Sequence, residues 1–311
     1  MPSIACNVAG VRLRNPILMA SGTFGFGKEY AAYYDLNKLG GIVSKGLTLQ
    51  PRTGNKGTRI WETPAGLLNS VGLENPGVDG FVAEELDAMA AWDTAVIVNL
   101  GGSCLQDYAE GAERLLDASR QRTRQGRRGI DMLELNISCP NVRAGGIQFG
   151  VDTEAAQDIV RAVRRAAAGM PLAVKLSPIA RDIAEMARMC EAEGADAISL
   201  INTIPAMKID VRRRRSVFDN LYAGLSGPAI KPIALRLVHQ AAKAVQLPVI
   251  GIGGIAAAED ILEFVMAGAS AVQVGTANFM NLRAGAVLAD QLAALMDSEG
   301  IASLDEIRGI V

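Results

Sequence analysis

The sequence predicts a single (β/α)8 barrel spanning residues 1–311, and three observations carry that prediction. Eight short apolar runs, many of them β-branched, recur along the chain, as strands buried on both faces should. Helix-period segments fill most of the gaps between them, the alternation expected of a parallel barrel. No Gly-x-Gly-x-x-Gly follows the first run, which disfavours the alternative, a doubly wound open sheet.

The elements follow in order. Residues 4–15 read as a small hairpin turning at Gly10, placed to plug one end of the barrel. The eight runs are 16–21, 41–45, 95–100, 132–137, 172–176, 197–201, 248–252 and 271–275. Asp152 opens a helix with Ile159, Val163 and Ala166 at helical spacing. Asp182 opens another, with Ile183, Ala187 and Cys190 on one face and Gly194 as its stop. The one histidine, His239, falls in a strongly helical stretch and reads as a helix-surface or core-edge residue. Three gaps, 46–80, 139–150 and 203–228, exceed ordinary connections, and each follows the C-terminal end of a run, where barrels build their sites.

Composition narrows the function. A formal net charge of −2 gives no support for a nucleic-acid or anionic-membrane partner. No apolar run approaches the ~20 residues of a membrane span, and the first residues lack a signal-peptide layout, so a cytoplasmic protein is expected. Cys6, Cys104, Cys139 and Cys190 are far apart and form no Cys-x-x-Cys pair, which disfavours zinc, an iron–sulfur cluster or a disulfide framework on this chain.

The chemistry gathers at the ends of the runs. These are Ser21-Gly22, Lys45-Gly46, Asn99, Asn136, Lys175, Asn202-Thr203, Gly253-Gly254 and Gly275-Thr276. Glycines after strands seven and eight let a phosphate approach backbone N–H groups, and Gly227 is a candidate third wall. Lys45 and Lys175 suit either a Schiff base or the stabilisation of negative charge on a reduced flavin. Asn69, Asn136, Asn141 and Asn202 favour the second use, because their amides match the alternating N–H and C=O edge of a pyrimidine dione. With the histidine assigned elsewhere, Cys139 is the candidate general base, opening a glycine-bearing loop able to act as a lid. Cys6 and Cys104 lack comparable company and read as structural.

Several of these residues sit in longer patterns. Residues 20–27 (Ala-Ser-Gly-Thr-Phe-Gly-Phe-Gly), 43–46 (Val-Ser-Lys-Gly), 69–77 (Asn-Ser-Val-Gly-Leu-Glu-Asn-Pro-Gly), 136–141 (Asn-Ile-Ser-Cys-Pro-Asn) and 224–232 resemble class 1 dihydroorotate dehydrogenases, across nearly the whole chain. Cysteine at 139 is similar to class 1, where the membrane-associated class 2 carries serine. Residues 25–30 and 72–77 resemble subclass 1B, whose FMN subunit works with an electron-transfer subunit carrying FAD and a [2Fe–2S] cluster and reduces NAD+.

The resemblance implies one FMN per chain and a homodimer core within a heterotetramer. It implies that Cys139 removes the C5 proton of dihydroorotate while the C6 hydride passes to N5 of FMN, with Lys45 touching both flavin and substrate. Substrate would be held by Lys45, Asn69, Ser70, Val71, Gly72, Leu73, Asn136, Asn141, Asn202 and Thr203. FMN would be held by Ser21, Lys45, Gly46, Asn99, Asn136, Lys175, Ile201, Gly227, Gly253, Gly254, Gly275 and Thr276. Against the family pattern, 119–129 is long and reads as a solvated loop at the far end of the barrel. Residues 212–215 are four consecutive arginines, a solvated surface or else a partner- or substrate-steering patch, and Tyr222-Ala223-Gly224 replaces a more glycine- and threonine-like stretch. Competing readings are a fumarate-dependent homodimer of subclass 1A, a flavin enzyme acting on another dihydropyrimidine, and a flavin-free lyase or binding protein.

Overall fold

The computed structural model describes residues 2–137 and 151–311. Eight parallel strands close into a barrel: β1 (Ile17–Met19), β2 (Gly41–Val43), β3 (Ala95–Leu100), β4 (Met132–Asn136), β5 (Leu172–Lys175), β6 (Ala197–Leu200), β7 (Val249–Ile252) and β8 (Ala269–Val274). Each strand pairs with the next in chain order, and β8 returns to pair with β1. The outer ring comprises α1 (Gly77–Glu84), α2 (Leu86–Ala91), α3 (Leu105–Arg124), α4 (Thr153–Ala166), α5 (Ile183–Ala192), α6 (Lys231–Ala244), α7 (Ala258–Met266) and α8 (Ala284–Ser298). Asp152 and Asp182 cap α4 and α5 as their positions predict, each side chain accepting from two backbone N–H groups of the first turn. Among the described residues, no helix is long and apolar enough to cross a membrane.

Inside the barrel, side chains stack in layers because alternate strand residues face inward. The lower layer is apolar: Leu18, Val43, Ile97, Met132, Ala173, Ala197, Ile250 and Ala271, one from each strand. The hairpin of Cys6–Val8 and Val11–Leu13, turning at Gly10, closes this end by packing Val8 and Leu13 against that layer.

The long gaps after β2 and β6 hold structure of their own. Ile60–Thr63, Gly66–Asn69, Ile204–Ala206 and Ala223–Ser226 form a four-stranded antiparallel sheet at the barrel mouth, with Asn69 opposite Gly224. Leu68, Phe218 and Ala223 give it a small core. The gap 139–150, with Cys139 and Asn141, lies outside the described residues.

Two readings need correction. The 119–129 segment is largely exposed as expected but is helical rather than a loop as far as Arg124, the end of α3, and buried Ser119 accepts from the Ile130 N–H at 2.9 Å. Its arginines are tied down, Arg122 and Arg127 both to Asp87 on α2, and Arg128 to the Trp92 carbonyl at 2.6 Å and to Asp131 at 2.8 Å. The segment does sit away from the strand C-termini. Cys104 is exposed at the N-cap of α3 rather than part of the core, whereas Cys190 is fully buried. Residues 212–215 are exposed, flanked by the short pair Ile209–Asp210 and Arg215–Ser216. His239 lies part-exposed on α6 against the Val311 carbonyl, at 3.1 Å.

Candidate active site

One step above the apolar layer, the period of two brings Lys45, Asn99, Glu134, Lys175, Ser199 and Gln273 inward. Here the barrel interior turns polar. Asn99 and Glu134 are register partners across β3 and β4, as are Asn136 and Lys175 across β4 and β5. The Asn99 Nδ2 donates to Glu134 Oε1 at 2.6 Å, the Gln273 Nε2 donates to Glu134 Oε2, and Lys175 Nζ lies 3.7 Å from Glu134 Oε1. Asn99, Glu134, Lys175 and Gln273 are all buried. The same layer holds three buried atoms with no partner among the described residues: Asn99 Oδ1, Ser199 Oγ and Gln273 Oε1. Each unmet buried group costs about 1–3 kcal/mol, so their gathering in one layer marks a place built for a polar guest.

Above that layer the loops converge. Lys45 is part-buried, and its backbone N–H donates to Gly25 O at 2.8 Å. Burial pushes its ammonium below the ordinary lysine range, with Glu74 opposing that shift and Arg59 adding to it. Gly46 leaves the space that Asn99 occupies, since a Cβ there would lie 2.9 Å from Asn99 Oδ1 and 3.4 Å from Leu73 Cδ2. The 69–73 segment therefore lies over the end of β2. Asn55 braces it, donating to Ser70 O at 3.1 Å and to Ser70 Oγ at 3.2 Å, while the Asn55 N–H donates to Val71 O at 2.9 Å. Gly72 and Leu73 both take positive φ. Buried Asn75 anchors the far side, its Nδ2 donating to Leu73 O at 2.7 Å and to Thr48 Oγ1 at 2.9 Å. Across the mouth, Asn69 Nδ2 donates to Gly224 O at 3.2 Å, and Asn202 Oδ1 accepts from the Thr203 N–H at 2.8 Å.

The glycine-bearing loops meet at one side of the rim. Thr276 Oγ1 donates to Ser226 Oγ at 2.8 Å, beside Gly227. Gly254 has φ +76°, and a Cβ on it would lie 2.6 Å from Lys231 Cβ, so the loop after β7 reaches the start of α6 only with glycine there. Ile201 is buried and hydrogen-bonds to Ile252 O, next to Gly253. Buried Ser21 follows Ala20, whose N–H donates to Val274 O, next to Gly275.

The described members of the expected set thus cluster at the C-terminal face of the strands. Cys139 and Asn141 lie outside the described residues. The sequence reading missed Glu134, Ser199 and Gln273. Their signal was present: Glu134 stands two residues before Asn136 in an apolar run, hence on the same inward face.

Comparison with known proteins decides the family. The family model described as dihydroorotate dehydrogenase matches residues 3–296. The chain belongs to the dihydroorotate dehydrogenase family. It is 51% identical over 305 residues to the Dihydroorotate dehydrogenase B (NAD(+)), catalytic subunit, of Petrotoga mobilis, covering 98% of each chain. It is 50% identical over 308 residues to the protein of the same name from Geotalea uraniireducens, covering 99% of this chain and 98% of that one. The corresponding Alkaliphilus metalliredigens protein is 48% identical over 303 residues, with 97% of each covered. In this family barrel, the polar layer and the glycine rim occupy the face where barrel enzymes hold their ligands.

Proposed function

We propose that this chain is the catalytic subunit of an NAD+-linked dihydroorotate dehydrogenase, oxidising (S)-dihydroorotate to orotate in de novo pyrimidine synthesis. The observation that carries the reading is the buried polar layer, with its lysine and three polar atoms that lack a partner among the described residues, beneath a glycine-lined rim in a barrel of this family. Those features fit FMN: the rim suits a phosphate approached by backbone N–H groups, and the layer suits a heterocycle with alternating donors and acceptors.

Gly227, Gly253, Gly254, Gly275 and Thr276 hold the phosphate side. Ser21, Lys45, Gly46, Asn99, Asn136, Lys175 and Ile201 hold the ring side. FMN, when bound, supplies the acceptor for the hydride leaving C6 of the substrate. Lys175 offers a buried cation where negative charge develops. Lys45, Asn69, Ser70, Val71, Gly72, Leu73, Asn136, Asn141, Asn202 and Thr203 hold the pyrimidine. Cys139 takes the C5 proton. The single histidine is engaged on the outer face of α6, and a thiol, ordinarily near pKa ~8.5, becomes a usable base beside lysine charge.

The relatives are catalytic subunits by name, which supports a second subunit here. That subunit carries FAD and a [2Fe–2S] cluster, and the whole is a cytoplasmic heterotetramer around a homodimer of one-domain chains. The test is the visible spectrum of the purified chain before and after anaerobic dihydroorotate. Flavin bands that bleach are the expected result, and a protein that neither carries nor binds FMN would sink the reading. Turnover with NAD+ only when the second subunit is added, and none with fumarate, is expected of the acceptor.

A further inference from the structure

Glu134 belongs to no expected set of site residues, yet it is the hub of the polar layer. It is 1% exposed and receives groups from three other strands: the Asn99 amide of β3, the Lys175 ammonium of β5 and the Gln273 amide of β8. A carboxylate only accepts hydrogen bonds, so both amides must turn their NH2 groups toward it. Their oxygens are thereby turned away from it, and these are two amide oxygens that have no partner among the described residues. One buried anion thus dictates the donor and acceptor polarity of two amides, one on the neighbouring strand β3 and one on β8 across the barrel. Its charge also offsets that of Lys175, the cation it faces across the β4–β5 pair.

We propose that Glu134 is a positioning residue that sets the polarity and net charge of the flavin-facing layer, and so tunes the reduction potential of the bound flavin. The inference rests on the FMN reading above. Lys175 against Glu134 leaves the buried layer with no net charge, beneath the Lys45 ammonium. Neutralising the carboxylate raises that charge and favours the reduced, more negative guest. Removing the Gln273 donor leaves the carboxylate less screened and has the opposite effect.

The experiment compares wild-type, Glu134→Gln and Gln273→Leu as FMN-loaded full chains, reading the flavin midpoint potential by dye-equilibrated reduction and FMN affinity by fluorescence titration. Glu134→Gln is expected to move the potential positive and to weaken FMN binding roughly tenfold. Gln273→Leu is expected to move the potential negative. A merely structural carboxylate would lower stability in both variants without opposed shifts. Unchanged potentials, or shifts of the same sign, overturn the proposal. If Glu134→Gln does not fold, the sign of the Gln273→Leu shift decides. A wild-type chain that binds no FMN overturns the functional reading itself, an outcome distinct from unmoved potentials in flavin-bound variants.

Discussion

The same eight strands build both ends of the barrel, and the two ends are opposites. The lower interior is Leu, Ile, Val, Met and Ala, sealed by the hairpin; one alternation higher it carries two lysines, a glutamate and amides. Two residues of strand, roughly 6–7 Å, separate the regimes. The lower end gains stability from burial. The upper end contains buried polar atoms that have no partner among the described residues, a cost that a bound guest would offset. The strands thus secure the fold at one end and spend part of that stability at the other.

Substitutions can break or sharpen this contrast. The largest effect is expected at the mouth: Cys139→Ser should slow flavin reduction by dihydroorotate about 10²–10⁴-fold near neutral pH, the range of a lost general base. An unchanged anaerobic single-turnover rate would remove Cys139 from that role. Lys175→Ala should cost both function and fold, because it leaves buried Glu134 without its cation; roughly 3–5 kcal/mol is typical of such a break. Denaturant unfolding and FMN titration together measure it, and wild-type behaviour in both would mean the pair is idle.

At the sealed end, Leu13→Ala should lose roughly 2–4 kcal/mol of stability while flavin binding and turnover by the folded fraction stay at wild-type levels. A changed flavin potential in that variant would erase the division between the two ends. The smallest effect is expected at Asp87, where Arg127 and Arg122 hold the exposed carboxyl down at about 2. A depressed carboxyl contributes stability above the unfolded value of ~3.9 and loses it as pH falls toward 2. Asp87→Asn should therefore narrow the gap to wild type in acid melts below pH ~4, by an amount that solvent screening keeps small.

The contrast also explains what was legible in the sequence. The barrel was readable because each strand is a local apolar run, and the observed bounds differ from the expected ones by only a few residues, as where 16–21 shortens to Ile17–Met19. Lys45, Asn99 and Lys175 stood out because they close such runs. Glu134 and Gln273 did not, being enclosed by apolar neighbours that read simply as strand. The mouth sheet was hidden for a different reason. Asn69 and Gly224 meet across 155 residues of chain, and no local periodicity records a pairing at that separation. The end of α3 was missed because the Arg- and Gln-rich stretch suggested a loop; it is exposed as that composition implies, yet helical, with Arg122, Arg127 and Arg128 bound to Asp87, Trp92 and Asp131.

That mouth sheet has a consequence for the order of assembly. Strand pairs of neighbouring barrel elements close short loops, but joining the segment after β2 to the segment after β6 requires most of the barrel between them to be in place. Contacts of such sequence separation carry a high closure entropy and form late. A half-made barrel, trapped on the way to the native state, would hold only part of its apolar layer and have no roof over the strand ends. The competence to take up a ligand therefore waits on a pairing of high sequence separation at the mouth of the site.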